Sequence, residues 1–158
     1  MAVVTLTSTR RGISGVVPSH GDASNVIRIP CHQTVGAADS ATSTYTLCQV
    51  PHNARLAGTA YWDDLASSGS PTLDFGLKSG SNVISADPDA LSDGHDAATI
   101  NHAGRQIVKP ANLGKFAWEL AGASADPGQG TYTVYVSLVD ADVNVGGNLV
   151  VEVEYTLD

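Results

Sequence analysis

The C-terminal stretch from Gly130 to Asp158 constrains the fold more than any other, because it carries two runs of strict two-residue alternation. Tyr132, Val134, Val136 and Leu138 share one parity, and Thr131, Thr133, Tyr135 and Ser137 share the other. That period puts successive side chains on opposite faces, which predicts a half-buried β-strand. After a loop holding Asp140, Asp142, Asn144, Gly146 and Gly147, Leu149, Val151, Val153, Tyr155 and Leu157 resume the apolar parity. Asn148, Glu152, Glu154, Thr156 and Asp158 make the alternate face polar. Two such strands with a Gly-containing connection predict an antiparallel hairpin. A lone hairpin is marginal in water, so further sheet or helix must cover its apolar face.

The rest of the chain supplies that cover. Asn25 to Cys31, Thr44 to Val50, Ala54 to Trp62 and Thr72 to Leu77 read as strands, the last two as a second hairpin. Pro51 ends one of them, since it has no N–H to give a ladder. Gly58 interrupts the Ala54 to Trp62 run and marks a bulge or a close backbone approach. Ser79 to Asp96 reads as irregular and acidic, with a helical turn at Pro88 to Leu91, and Ala97 to Val108 as one or two short strands. Leu113, Phe116, Ala117 and Leu120 follow helical spacing, which predicts one short helix near 112 to 121 with Asn112 as N-cap and Gly122 as stop.

About eight strands with turn signals every ten residues or so predict a mainly β chain, an antiparallel two-sheet sandwich of jelly-roll type. Residues 1 to 24, with Arg10, Arg11, Pro18 and Gly21, read as an extended N-terminal arm on a 25 to 158 sandwich domain. At 158 residues no disulfide or metal is needed to complete a core.

Charge narrows the function. The formal net charge of -8 speaks against a nucleic-acid binder, which needs a basic patch to displace counterions. Residues 1 to 57 carry four basic and two acidic groups, the remainder four basic and fourteen acidic. The N-terminal part therefore suits an acidic partner, such as a neighbouring copy, although so few basic residues also split unevenly by chance. No run reaches the roughly 18 apolar residues of a membrane span. The first residues lack the basic and apolar regions of a secretory signal, so the expected place of synthesis is a cytosol.

Candidate chemistry is thin, and each candidate has a plain structural reading. Asp87, Asp89 and Asp93 offer hard oxygen ligands, yet they miss the EF-hand pattern and equally start turns. Cys31, His32, Cys48 and His52 are zinc-type ligands, but strand neighbours Cys31 and His32 point to opposite faces, which favours two buried thiols. Asp63 and Asp64 diverge at a strand end, and no Gly-x-Ser-x-Gly elbow or phosphate-cradling loop is present. No catalytic, metal or cofactor site is expected, and the chain does not read as an enzyme. Tyr61, Trp62 and Trp118 would serve a carbohydrate-binding module if they formed an exposed row; on half-buried elements aromatics are usually core.

Four segments together resemble the capsid decoration, or cement, proteins of tailed bacteriophages: Val50 to Leu56, Leu73 to Leu77, Ala86 to Gly94 and Gly146 to Tyr155. The resemblance implies a β-sandwich on the outer surface of a phage head. It would bind the major capsid protein, staple neighbouring capsomers and act as a homo-oligomer, a trimer in many such proteins. It brings no catalytic residues. It implies that the arm, through Arg10 and Arg11 or by strand addition, reaches a neighbouring subunit. The alternatives are a tail, neck or fibre protein and the carbohydrate-binding module.

Overall fold

In the computed structural model, residues 5–7, 26–65, 70–79 and 87–157 are described. The two alternating C-terminal runs form strands as expected, β8 at Thr131–Val139 and β9 at Gly147–Leu157. Ahead of them come β1 (Thr5–Thr7), β2 (Ile27–Val35), β3 (Thr44–Pro51), β4 (Ala54–Trp62), β5 (Thr72–Ser79), β6 (Asp87–Asp96) and β7 (Asn101–Gln106). One sheet has the order β1-β3-β8-β5-β6 and the other β2-β9-β4-β7. All pairs are antiparallel except β1 with β3.

The pairs β2 with β9, β3 with β8, β4 with β7 and β5 with β6 are nested, as in one long antiparallel ribbon. Pairing of β4 with β9 and β5 with β8 rolls that ribbon into two facing sheets. This is the jelly-roll arrangement, and the fold class is as expected.

Rolling the ribbon corrects both expected hairpins. β8 and β9 lie in different sheets, as do β4 and β5, so each pair faces its sequence neighbour across the core instead of bonding to it. Alternation reports which face is apolar, not which strand lies alongside. The 140–146 connection carries its own anchor: Val143 is buried, its N–H bonds to Asp39 O, and its carbonyl accepts from Ala38. β8 also departs from half-burial, since Thr133, Tyr135 and Ser137 are buried as well. It is central in its sheet, and Lys78 from β5 reaches over the Tyr135 ring at 5.2 Å.

Two local expectations change. Ser79 to Asp96 is not irregular throughout: Asp87–Asp96 is an edge strand with register shifts, and Ala90 and Leu91 point into the core where a helical turn was expected. Its Pro and Asp residues, which read as turn signals, suit an edge that must resist further pairing. The helix is shorter than its apolar spacing predicts. A 3-10 turn at Pro110–Asn112 and Gly114 at φ +82 precede α1 (Ala117–Leu120). Phe116, not Asn112, is the N-cap, and its N–H donates to the Glu119 carboxylate at 2.7 Å. Asn112 instead donates to Ala90 O at 2.8 Å, and Leu113 is exposed. Gly122, at φ +78, does stand just past the helix end.

Between the sheets lie Tyr45, Leu47, Leu73, Phe75, Leu77, Leu91, Val136, Leu138, Leu149, Val151 and Val153, all essentially without solvent contact. Gly58 is a close approach, as its position suggested: a Cβ there would lie 2.3 Å from Glu152 O.

Candidate interaction surface

Strand β3 has β8 on one side and, among the described residues, the three residues of β1 on the other, in the register Thr5 to Thr44, Leu6 to Tyr45 and Thr7 to Thr46. A register shift between Thr46 and Cys48 then turns both Leu47 and Cys48 inward. Gln33, on the inner face of β2, donates to Thr46 O at 2.8 Å and ties the sheets together along this side. The edge of the first sheet is thus built to hold an extended segment by main-chain hydrogen bonds. Next to it, a groove of about 510 Å³ lies over β8, lined among others by Thr44, Lys78, Pro88, Tyr135, Ser137 and Asp140. Arg10 and Arg11, the residues singled out for partner binding, lie outside the described residues, as does the rest of the 1 to 24 arm apart from Thr5–Thr7.

The loops following β2, β4, β6 and β8 gather at one end and bond to each other, through Ala38 N–H to Val143 O, Leu65 N–H to Ala97 O and Val145 N–H to Leu65 O. They contain Asp39, Asp63, Asp64, Asp140 and Asp142 and no Lys or Arg. Several of these carboxylates hold the loops. Asp39 accepts from the Tyr45 hydroxyl at 2.6 Å and from Gly36 N–H at 2.8 Å. Burial and this carboxylate push the Tyr45 hydroxyl well above the usual tyrosine range. Asp142 accepts from Ala41 N–H, and Asp140 from the Thr72 hydroxyl. Asp63 accepts from Asn148 backbone and side chain and faces His102 at 3.5 Å; these contacts hold it below the ordinary carboxylate range. No Lys or Arg in these four loops balances the carboxylates.

The other candidates resolve individually. Asp87, Asp89 and Asp93 lie on β6, and among the described residues no group of three or more His, Cys, Asp or Glu is arranged to hold a metal ion. Cys31 and Cys48 are buried free thiols, whereas His32 is exposed and His52 faces Asp126 at 3.4 Å. Trp62 is 3 % exposed, and its Nε1 donates to Asp96 O and Thr99 O at 3.2 and 2.9 Å. Tyr61 lies against Gly104, where an added Cβ would meet its ring at 3.0 Å. Trp118 stacks on Phe116, whose other neighbour is the Arg55 guanidinium at 3.9 Å. These three aromatics form no common exposed row.

Sequence reasoning passed over His95. It sits edge-on to Phe75 and Trp62, beside a cavity of about 310 Å³ that Arg105 also lines. Ser92 gives its proton to Ile107 O, so His95 Nε2–H donates to Ser92 Oγ at 2.9 Å. Burial, and then the Arg105 charge, push the imidazole below its usual range, against the opposite pull of Asp74 and Asp93. The folded state therefore prefers neutral His95, and unfolding takes up a proton. The stability it contributes is complete above the unfolded value, about 6.5, and is lost as pH falls below it. Thermal midpoints measured from pH 7.5 to 5 should fall, and His95→Gln should flatten that slope; an unchanged slope would assign it to other groups.

No family model matches the chain, and no curated protein matches it. Solved structures do. A chain of the capsid of Ralstonia phage GP4 superposes with a TM-score of 0.71 at 17% identity, covering 98% of this chain and 99% of that one. A chain of the cyanophage Pam1 capsid asymmetric unit gives a TM-score of 0.59 at 17% identity, over 90% of this chain and 91% of that one. This chain therefore shares its fold, nearly end to end, with chains found in the capsids of two phages.

Proposed function

We propose that this protein is a non-enzymatic virion component that decorates the outer surface of a phage head and staples neighbouring capsomers. The observation that carries the reading is the end-to-end likeness to a chain of the Ralstonia phage GP4 capsid. A match over 99% of that chain leaves little of either protein to serve a different architecture. The working form is a homo-oligomer, a trimer around a local symmetry axis, made in the host cytoplasm and bound to the major capsid protein. Residues 1 to 24 form the reaching arm, with Arg10 and Arg11 on acidic capsid surface. The pairing of Thr5–Thr7 along β3 and the groove next to it supply the kind of main-chain and apolar contacts a stapling protein needs. A glycan-binding reading loses ground because Trp62 is enclosed.

The test is co-sedimentation of the purified protein with heads that lack it. Saturable binding is expected, weakening as salt rises. Removing residues 1 to 12 should abolish occupancy. Arg10→Ala with Arg11→Ala should weaken binding by about tenfold, from roughly 0.5–1 kcal/mol per exposed ion pair. Failure to bind heads, with binding to isolated tails instead, would move the protein to a tail, neck or fibre position. Full occupancy without residues 1 to 12 would remove the arm from the interface.

A further inference from the structure

Cys31 and Cys48 come from different sheets, β2 and β3, at the side of the sandwich where those two strands approach within 8 Å between Cα atoms. Both are buried and both are free thiols. The Cys31 thiol donates to Ile29 O at 3.6 Å and has the Cys48 thiol as its neighbour across the seam. Two residues after Cys31 and two before Cys48, the Gln33 side chain donates to Thr46 O and fixes the same seam. The core elsewhere is aliphatic and aromatic, and the two thiols that meet here are the chain's entire cysteine content.

We propose that Cys31 and Cys48 are an oxidation site: a pair of thiols that closes to an intramolecular disulfide and bolts the two sheets together. A disulfide needs its Cα atoms within about 7 Å; β2 and β3 come within 8 Å between Cα atoms along this seam, so closing the bond asks for a small inward adjustment of the two strands. Cys31 reacts first. Its ionisation is favoured by the neighbouring Cys48 thiol, against the effect of burial, whereas the Cys31 neighbour and burial push the Cys48 thiol up. Cys31 also lies on a strand that, among the described residues, is at the edge of its sheet and bonded only to β9, so local opening of β2 admits a small oxidant. With a peroxide as oxidant the steps balance. The Cys31 thiolate attacks one peroxide oxygen, the O–O bond breaks, and a sulfenic acid forms as hydroxide leaves. The Cys48 sulfur then attacks the Cys31 sulfur, the S–O bond breaks, and water leaves with the Cys48 proton. Two thiols and one hydrogen peroxide give one disulfide and two waters.

The biological trigger rests on the virion reading: a protein folded among reducing thiols and then released to an oxidising exterior would acquire the bolt after assembly. The chemistry does not rest on it, so the test uses the purified protein alone. Folded protein is treated with hydrogen peroxide, alkylated and digested without reduction. A linked peptide joining Cys31 to Cys48, lighter than the two thiol peptides by two hydrogens, is the expected product. Protein so treated should melt about 6–12 °C higher, and reductant should reverse the shift. Thiols that stay alkylatable, sulfinic acid at Cys31 without a link, or a disulfide between two chains would each overturn the proposal. Loss of the link with head binding unaffected would leave the proposed function standing.

Discussion

Gly58→Ala is expected to lower the thermal midpoint by roughly 10 °C, from about 2–5 kcal/mol of combined overpacking and backbone strain. The added methyl would lie 2.3 Å from Glu152 O and 3.0 Å from Ile107 Cδ1, and the backbone there has φ +146. Neither neighbour yields easily. Glu152 belongs to β9, bonded on both sides, and Ile107 is fully buried with its N–H on Gly58 O. Gly122→Ala separates the two causes. That glycine also has positive φ, +78, but nothing lies within 4 Å of an added Cβ, so only the conformational cost, about 1 kcal/mol, should appear. Equal shifts for the two variants in a melting experiment would show that β9 gives way and that the packing argument is wrong.

Trp62→Ala should destabilise by about 3–5 kcal/mol, the range for deleting a buried large aromatic. Trp62→Phe should cost less, about 1–3 kcal/mol, because it fills most of the volume but leaves the carbonyls of Asp96 and Thr99 without their indole donor. Urea unfolding would resolve the two, with the transition midpoint moving and its slope held constant. A Trp62→Phe variant as stable as the parent would mean that water replaces the indole N–H. Because the ring is enclosed, neither change should touch a surface contact, and the proposed head binding should be unaltered in the folded fraction.

These two positions also mark how much the sequence discloses. Alternation located most of the sandwich strands, since it follows from the pleat and from one face being buried. Gly58 and Gly122 declared their roles through conformational freedom. Trp62 declared its own through parity with Leu56 and Ala60. Partnership was not legible: the residues of β8 and β9 encode an apolar face, and a neighbouring strand and a facing sheet satisfy that face equally well. β6 hid behind Pro88 and its aspartates, residues that serve turns and edge strands alike. The helix came out short because Leu113, counted in its stripe, is exposed.

The surface was less legible than the core. The uneven charge was visible in composition, but only the rolled ribbon brings Asp39, Asp63, Asp64, Asp140 and Asp142 to one end. The two cysteines were readable as buried thiols, yet their meeting depends on β2 and β3 lying in opposite sheets. His95 carried no motif, and its shifted proton affinity arises from Phe75, Trp62 and Arg105, residues 10 to 33 positions away along the chain.

The nesting of the strands has a kinetic consequence. β9 comes last in chain order, yet it lies between β2 and β4 in the middle of its sheet. While a ribosome is still adding it, β2 lacks its one neighbour among the described strands, and the facing sheet has an uncovered apolar surface. Folding must wait for the final strand, and closing such distant pairs is slow. Apolar strands of a nascent chain thus stay exposed until β9 arrives, and the acidic net charge of -8 keeps neighbouring unfinished chains apart until each can close.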